Sequence, residues 1–128
     1  MAFQLDRLDH VVLTVASIEA TEDFYTEVLG MEVLHTANGR HALAFGVQKI
    51  NLHQRGHEYE PHAAHPSAGS ADLCFVTESP IAEVAEYVTS MRVRIELGPV
   101  EREGALGKMQ SIYLRDPDRN LIEISQYL

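Results

Sequence analysis

Residues 5–15 read LDRLDHVVLTV and residues 70–77 read SADLCFVT, and the relation between these two stretches decides the fold. The first is rich in Val and Leu and the second is a short apolar run, as expected of strands buried in a sheet. Both run into a helix signal. After the first comes Ser17 as a candidate N-cap, then Ile18, Thr21, Phe24, Tyr25, Val28 and Leu29 at helical spacing, and Gly30 as a stop. After the second, Ser79-Pro80 reads as an N-cap with Pro at the first helical position, followed by Ile81, Val84, Ala85 and Val88.

Three short strands fit behind each helix. In the first half they fall near 31–36, 41–46 and 48–53, with Asn38-Gly39 as a hairpin turn and Gly46 as a bend. In the second half they fall near 93–97, 109–115 and 121–127. The order strand–helix–strand–strand–strand therefore occurs twice. This predicts an α+β chain of paired βαβββ modules whose curved mixed sheet surrounds a cleft. The whole of 1–128 reads as a single domain, with module 1 at about 5–53, a linker at 54–69 and module 2 at about 70–128. Leu8–Leu13 overlays Ser70–Phe75, and Ile50-Asn51-Leu52 overlays Ile122-Glu123-Ile124. The second half is longer, most easily in Gly98–Gly107, whose three glycines suggest a flexible loop able to close over a cleft or a plain hairpin tip.

Composition narrows the function. The net charge of -9 disfavours nucleic acid and acidic membranes as partners. No apolar run approaches the ~20 residues of a membrane helix, and the N-terminus has no secretory pattern. Cys74 is the single cysteine, which excludes an internal disulfide and points to a reducing cytoplasm. Cys74 reads as a small core residue, since no placed base would activate it. There is no phosphate-binding loop and no G-x-S-x-G.

The candidate chemistry lies on the strands. His10 shares a strand face with Leu8, Val12 and Thr14, and the overlay gives Asp72 the same place in the second half. Glu123 overlays Asn51, and His53 lies two residues beyond on the same face. If a pseudo-two-fold axis relates the halves, His10, Asp72, Glu123 and His53 or Asn51 converge. Such a His/carboxylate set suits Zn²⁺, Ni²⁺, Mn²⁺ or Fe²⁺ with an open position for substrate. Taken alone, a His in an apolar strand is more often a hydrogen-bonded core residue, and a lone Glu more often faces solvent. Seven histidines is a high count, and four of them (His53, His57, His62, His65) fall within thirteen residues, although His57 and His62 read better as solvated loop residues. Asp116-Pro117-Asp118-Arg119-Asn120 is a turn that sets where Glu123 points.

These motifs resemble the vicinal-oxygen-chelate superfamily of glyoxalase I, fosfomycin-resistance enzymes, extradiol dioxygenases and bleomycin-binding proteins. RLDHVVLTV, FYTEVLGMEV, ALAFGVQKINLHQ, EYEPHAAHP, GSADLCFVTE, GPVEREGALG and SIYLRDPDRNLIEIS, taken in order, are most similar to its branch of glyoxalase domain-containing protein 5 and related bacterial virulence-associated proteins. The resemblance implies the paired-module fold, usually as a homodimer, and a small-molecule substrate. It also implies a divalent metal that chelates two adjacent substrate oxygens and acts as a Lewis acid. Carried over by position, His10 and Glu123 fit the superfamily's ligand pattern, Glu123 being a ligand or a catalytic base. Asp72 stands where many members have His, Asn51 stands where glyoxalase I has Glu, and His53 is the nearest stronger donor. The implied activity is that of a glyoxalase-like lyase or isomerase. The alternatives are an Fe²⁺ or Mn²⁺ dioxygenase, or a metal-free binding protein that sequesters a drug-like molecule.

Overall fold

The computed structural model describes residues 2–128. Its elements run β1 (His10–Val15), α1 (Ile18–Glu27), β2 (Glu32–His35), β3 (His41–Phe45) and β4 (Gln48–Gln54), then β5 (Asp72–Val76), α2 (Ile81–Ser90), β6 (Leu97–Gly104), β7 (Gly107–Arg115) and β8 (Leu121–Tyr127). The chain forms two compact units, divided between Ala68 and Gly69 at the end of the expected linker. Each unit is one βαβββ module with an open, mixed, four-stranded sheet. The strand orders are β1-β4-β3-β2 and β5-β8-β7-β6. In each, the first and last strands pair in parallel and the other neighbours are antiparallel. No helix among the described residues is long and apolar enough to cross a membrane.

The ladders of the two modules superimpose in register. His10 lies opposite Lys49 and Val12 opposite Asn51, while Asp72 lies opposite Leu121 and Cys74 opposite Glu123. The overlay of His10 on Asp72 and of Asn51 on Glu123 is therefore a property of the hydrogen-bonded sheets. The additional length of the second module is mostly one longer hairpin. Seven residues (35–41) lie between the paired Leu34 and Ala42, against fifteen (98–112) between the paired Leu97 and Tyr113.

Module 1 buries Leu13, Val15, Leu43, Ile50 and Leu52 on the sheet face that packs against α1, together with Tyr25 of that helix. Ser17 caps α1, its hydroxyl accepting from the Ala20 N–H at 3.1 Å. Gly30, at φ 69°, ends the helical path. Module 2 buries Ile112, Leu114, Ile122 and Ile124 with Ile81 and Val88 of α2. Removing each such side chain from water contributes roughly 1.5–3 kcal/mol.

Four local expectations need correction. Residues 5–9 are not strand; Leu5 and Leu8 are exposed, because β4 begins only at Gln48 and offers them no partner backbone. Ser79 does not cap α2: Pro80 is the N-cap residue without a side-chain cap bond, and the Ile81 N–H donates instead to Gln126 Oε1 at 3.1 Å. The first module has the same device, since the Ile18 N–H donates to Gln54 Oε1 at 3.3 Å. The strand expected at 93–97 lies at Leu97–Gly104, and of the two readings of the glycine-rich 98–107 stretch the hairpin holds, most of it being paired strand that ends in a tight turn. Cross-strand pairing to β7 decides between them. Finally, Cys74 is exposed, because it lies on the face of β5 away from the core.

Candidate metal and substrate face

The candidate residues lie on the sheet face of each module opposite its helix. In module 1 this face carries His10, Val12 and Thr14 of β1 beside Lys49, Asn51 and His53 of β4. In module 2 it carries Asp72, Cys74 and Val76 of β5 beside Leu121, Glu123 and Ser125 of β8, with Tyr113 and Ser111 of β7 continuing the rows.

His10 is solvent-accessible, and its Nδ1 lies 2.9 Å from Asp9 Oδ2. A carboxylate can only accept, so Nδ1 donates, and Nε2 is the ring nitrogen left outside this bond. The bond to His10 also holds the Asp9 carboxyl below the usual carboxylate range. A carboxylate that fixes the tautomer and orientation of an imidazole is the usual support of a histidine metal ligand.

His53 is buried, and its ring meets Tyr59 edge-on with centroids 5.4 Å apart. The Arg40 guanidinium lies over the other partner of this contact, 4.0 Å from the Tyr59 ring centroid. Burial pushes the His53 pKa down, assisted by the Arg40 charge and opposed by Glu58. His53 is thus held as neutral imidazole, the form that ligates a metal or exchanges hydrogen bonds with a substrate. His53 pairs with Thr14, four residues along β1 from His10, which is a separation of about 13 Å along the strands. Asn51 lies nearer to His10.

In module 2, Asp72 and Glu123 are diagonal neighbours, since Asp72 pairs with Leu121 and Cys74 with Glu123. Glu123 Oε2 accepts from Ser125 Oγ at 3.1 Å. Ser125 Oγ also lies 2.6 Å from Ser111 Oγ and 3.2 Å from Cys74 Sγ, so a fully buried serine pair fixes one oxygen of the carboxylate. Although the residue is exposed at the surface, partial desolvation of its Sγ raises the Cys74 pKa, the Glu123 and Asp72 charges add to this and the Ser125 hydrogen bond opposes it, which makes the thiol a poor nucleophile. Farther along β7, Tyr113 OH accepts from Arg102 Nε at 3.0 Å. Tyr113 shares the row of Glu123 and Cys74. It was not singled out in the sequence; the β7–β8 register is the signal that finds it.

The position of Glu123 is set by the preceding turn. Arg119 takes φ 68° there, and the buried Asp116 and Asn120 are bonded to each other. Asn120 Oδ1 accepts from the Ala71 N–H at 2.8 Å, joining the entrance of β8 to that of β5. Of the loop histidines, His57, His62 and His65 are exposed. A further set of donors does come together: Glu22, His35 and His41, none of them anticipated from spacing, have ligand atoms within 4.8 Å of one another.

The sequence model of the Glyoxalase/Bleomycin resistance protein/Dioxygenase superfamily matches residues 7–124. The chain belongs to this superfamily. It is 55% identical over 124 residues to virulence protein STM3117 of Salmonella typhimurium, covering 97% of this chain and 86% of that one. The crystal structure of STM3117 matches with a TM-score of 0.97 at 54% identity, covering 98% of this chain and 100% of that one. Glyoxalase domain-containing protein RDO1 of Mycosarcoma maydis is 52% identical over 120 residues, covering 94% and 68%. Two distant structures share the fold. Lactoylglutathione lyase from Agrobacterium tumefaciens has a TM-score of 0.74 at 21% identity, covering 96% and 95%. The antibiotic binding protein TnmS3 from Streptomyces has a TM-score of 0.74 at 19% identity, covering 100% and 99%. A lyase and an antibiotic-binding protein thus share this fold.

Proposed function

We propose that this protein is a glyoxalase-like, metal-dependent lyase or isomerase for a small substrate with adjacent oxygens. Its candidate metal ligands are His10 of module 1 and Glu123 and Asp72 of module 2; His53, about 13 Å along the strands from His10, serves the same face as a substrate contact. The observation that carries the reading is the Asp9 carboxylate on His10 Nδ1, which leaves Nε2 free to ligate. The donor chemistry fits a divalent transition ion: an oriented imidazole and a carboxylate with one oxygen tied to Ser125. Such an ion, when bound, supplies Lewis acidity toward paired substrate oxygens.

The chain's own groups do the remaining work. Ser125 orients Glu123, whose Oε1 is left to take up a substrate proton or a ligand bond. His53 presents a neutral ring, and Tyr113 with Arg102 offers a phenol beside a fixed cation. The same reading takes the protein as a cytoplasmic homodimer, which sedimentation of the purified chain tests directly.

Metal analysis of the purified protein tests the assignment. About one Zn, Ni, Mn or Fe per chain is expected, lost in His10→Ala and in Glu123→Ala with the fold intact, held more weakly in Asp72→Ala, and retained in His53→Ala. Full retention in the first two variants would overturn it. A second reading, metal-free binding of a small cationic molecule, draws on Asn51, which replaces a carboxylate donor in module 1, and on the net charge of -9. Absence of metal uptake together with a thermal shift on adding cationic aromatic compounds would favour that reading.

A further inference from the structure

We propose that module 1 carries a second divalent-metal site, formed by Glu22, His35 and His41 on the helix side of its sheet. The three come from different elements. Glu22 is on α1, His35 ends β2, and His41 opens β3 directly opposite His35 in the antiparallel ladder. The hairpin of residues 36–40 therefore holds the two imidazoles side by side. Their rings stand edge-to-face, with centroids 4.4 Å apart and planes at 68°. Both rings turn a nitrogen to the same carboxylate oxygen: Glu22 Oε2 lies 3.3 Å from His35 Nε2 and 3.0 Å from His41 Nδ1.

These distances are what a small coordination sphere needs. With metal–donor bonds of ~2.0–2.1 Å in tetrahedral geometry, neighbouring donors lie about 3.3 Å apart. An ion therefore enters with a small shift of side chains and no change of backbone. Two imidazoles and one carboxylate select a borderline ion such as Zn²⁺ over Ca²⁺ or Mg²⁺, which prefer all-oxygen sites. The Glu22 side chain is only 16% exposed and the His35 side chain 60% exposed, so the carboxylate is held while the outer side stays open to water for the fourth position. The ion would fasten α1 to the β2–β3 hairpin. It would stabilise module 1 without touching the face that carries His10, because β3 residues alternate and His41 faces opposite to Ala42, the residue in register with Asn51.

The test uses the full-length His10→Ala/Glu123→Ala chain, so that zinc bound elsewhere is not counted. Zn²⁺ is titrated against a chromophoric chelator, and Co²⁺ is added separately to read its d–d absorption. One equivalent of Zn²⁺ and a tetrahedral Co²⁺ spectrum are expected. His35→Ala, His41→Ala and Glu22→Gln should each weaken Zn²⁺ by more than the ~10–100-fold that loss of an outer-shell partner costs. His35→Ala is the guard against misfolding, since that ring is mostly solvent-exposed. Zn²⁺ should also shift the ring signals of His35 and His41 in histidine NMR spectra of the wild-type chain. No zinc uptake by the double variant, or uptake unchanged by all three substitutions, would overturn the proposal. Neither result depends on whether His10 and Glu123 bind metal.

Discussion

Asp116 and Asn120 grip each other across the turn that starts β8. The Asn120 backbone N–H donates to Asp116 Oδ1 at 2.9 Å, and its side-chain amide donates to Oδ2 at 2.8 Å. The Asp118 N–H shares Oδ1 at 2.9 Å. Both side chains are buried, so the carboxylate depends on these donors in place of water. Glu123 is the third residue of the strand that follows, so the aim of a proposed ligand rests on this pair.

Asn120→Ala removes one donor to a buried carboxylate and the acceptor of the Ala71 N–H. A loss of about 2–4 kcal/mol is expected. Urea unfolding of wild type and variant measures it, and a change below about 0.5 kcal/mol would contradict the account.

Gly98→Ala should destabilise the second module by about 3 kcal/mol. Gly98 has φ 112°, and a Cβ there would lie 2.4 Å from the Ser111 carbonyl oxygen, a backbone atom that cannot step aside. Gly39→Ala, at φ 80° with open space around it, is the comparison and should cost less. Thermal melts of the two variants rank them.

Ser125→Ala should weaken metal binding about 10–100-fold, as loss of an outer-shell partner does. Ser125 Oγ holds Glu123 Oε2 and touches no other candidate ligand. Competition with a chelator gives the ratio; an unchanged affinity would mean that the serine pair does not orient Glu123.

Glu96 and Arg115 form a two-pronged ion pair, Nε to Oε1 at 3.0 Å and Nη2 to Oε2 at 3.1 Å. The hydrogen bonds to Arg115 hold the Glu96 carboxyl below its ordinary value of 4.5. A depressed carboxyl pKa gives stability that is present above the unfolded value and lost as pH falls through the folded one. Glu96→Gln should therefore lower the urea midpoint at neutral pH and converge on wild type below about pH 4. Parallel pH profiles would refute this.

Much of the architecture follows from local pattern alone. Two βαβββ modules are legible because the apolar strand, capped helix and turn glycines recur in order. The equivalence of His10 with Asp72 and of Asn51 with Glu123 follows because side chains alternate along a strand, so one correct alignment places a whole face. The Asp116–Asn120 turn was legible because Pro, Asp and Asn favour turns through local backbone chemistry. For residues 98–107 the glycines left a mobile loop and a hairpin tip both open; pairing with β7, which the glycines do not encode, decides for the hairpin.

The tertiary structure alone decided the features that depend on neighbours brought from elsewhere. Gln54 and Gln126 cap helices that begin 36 and 45 residues before them. Nothing local marks His35 and His41 as donors; the hairpin sets them opposite each other and α1 lays Glu22 across both. Sequence fixes which face a side chain takes within its own strand. Which donors meet across elements depends on register and helix packing, which are non-local.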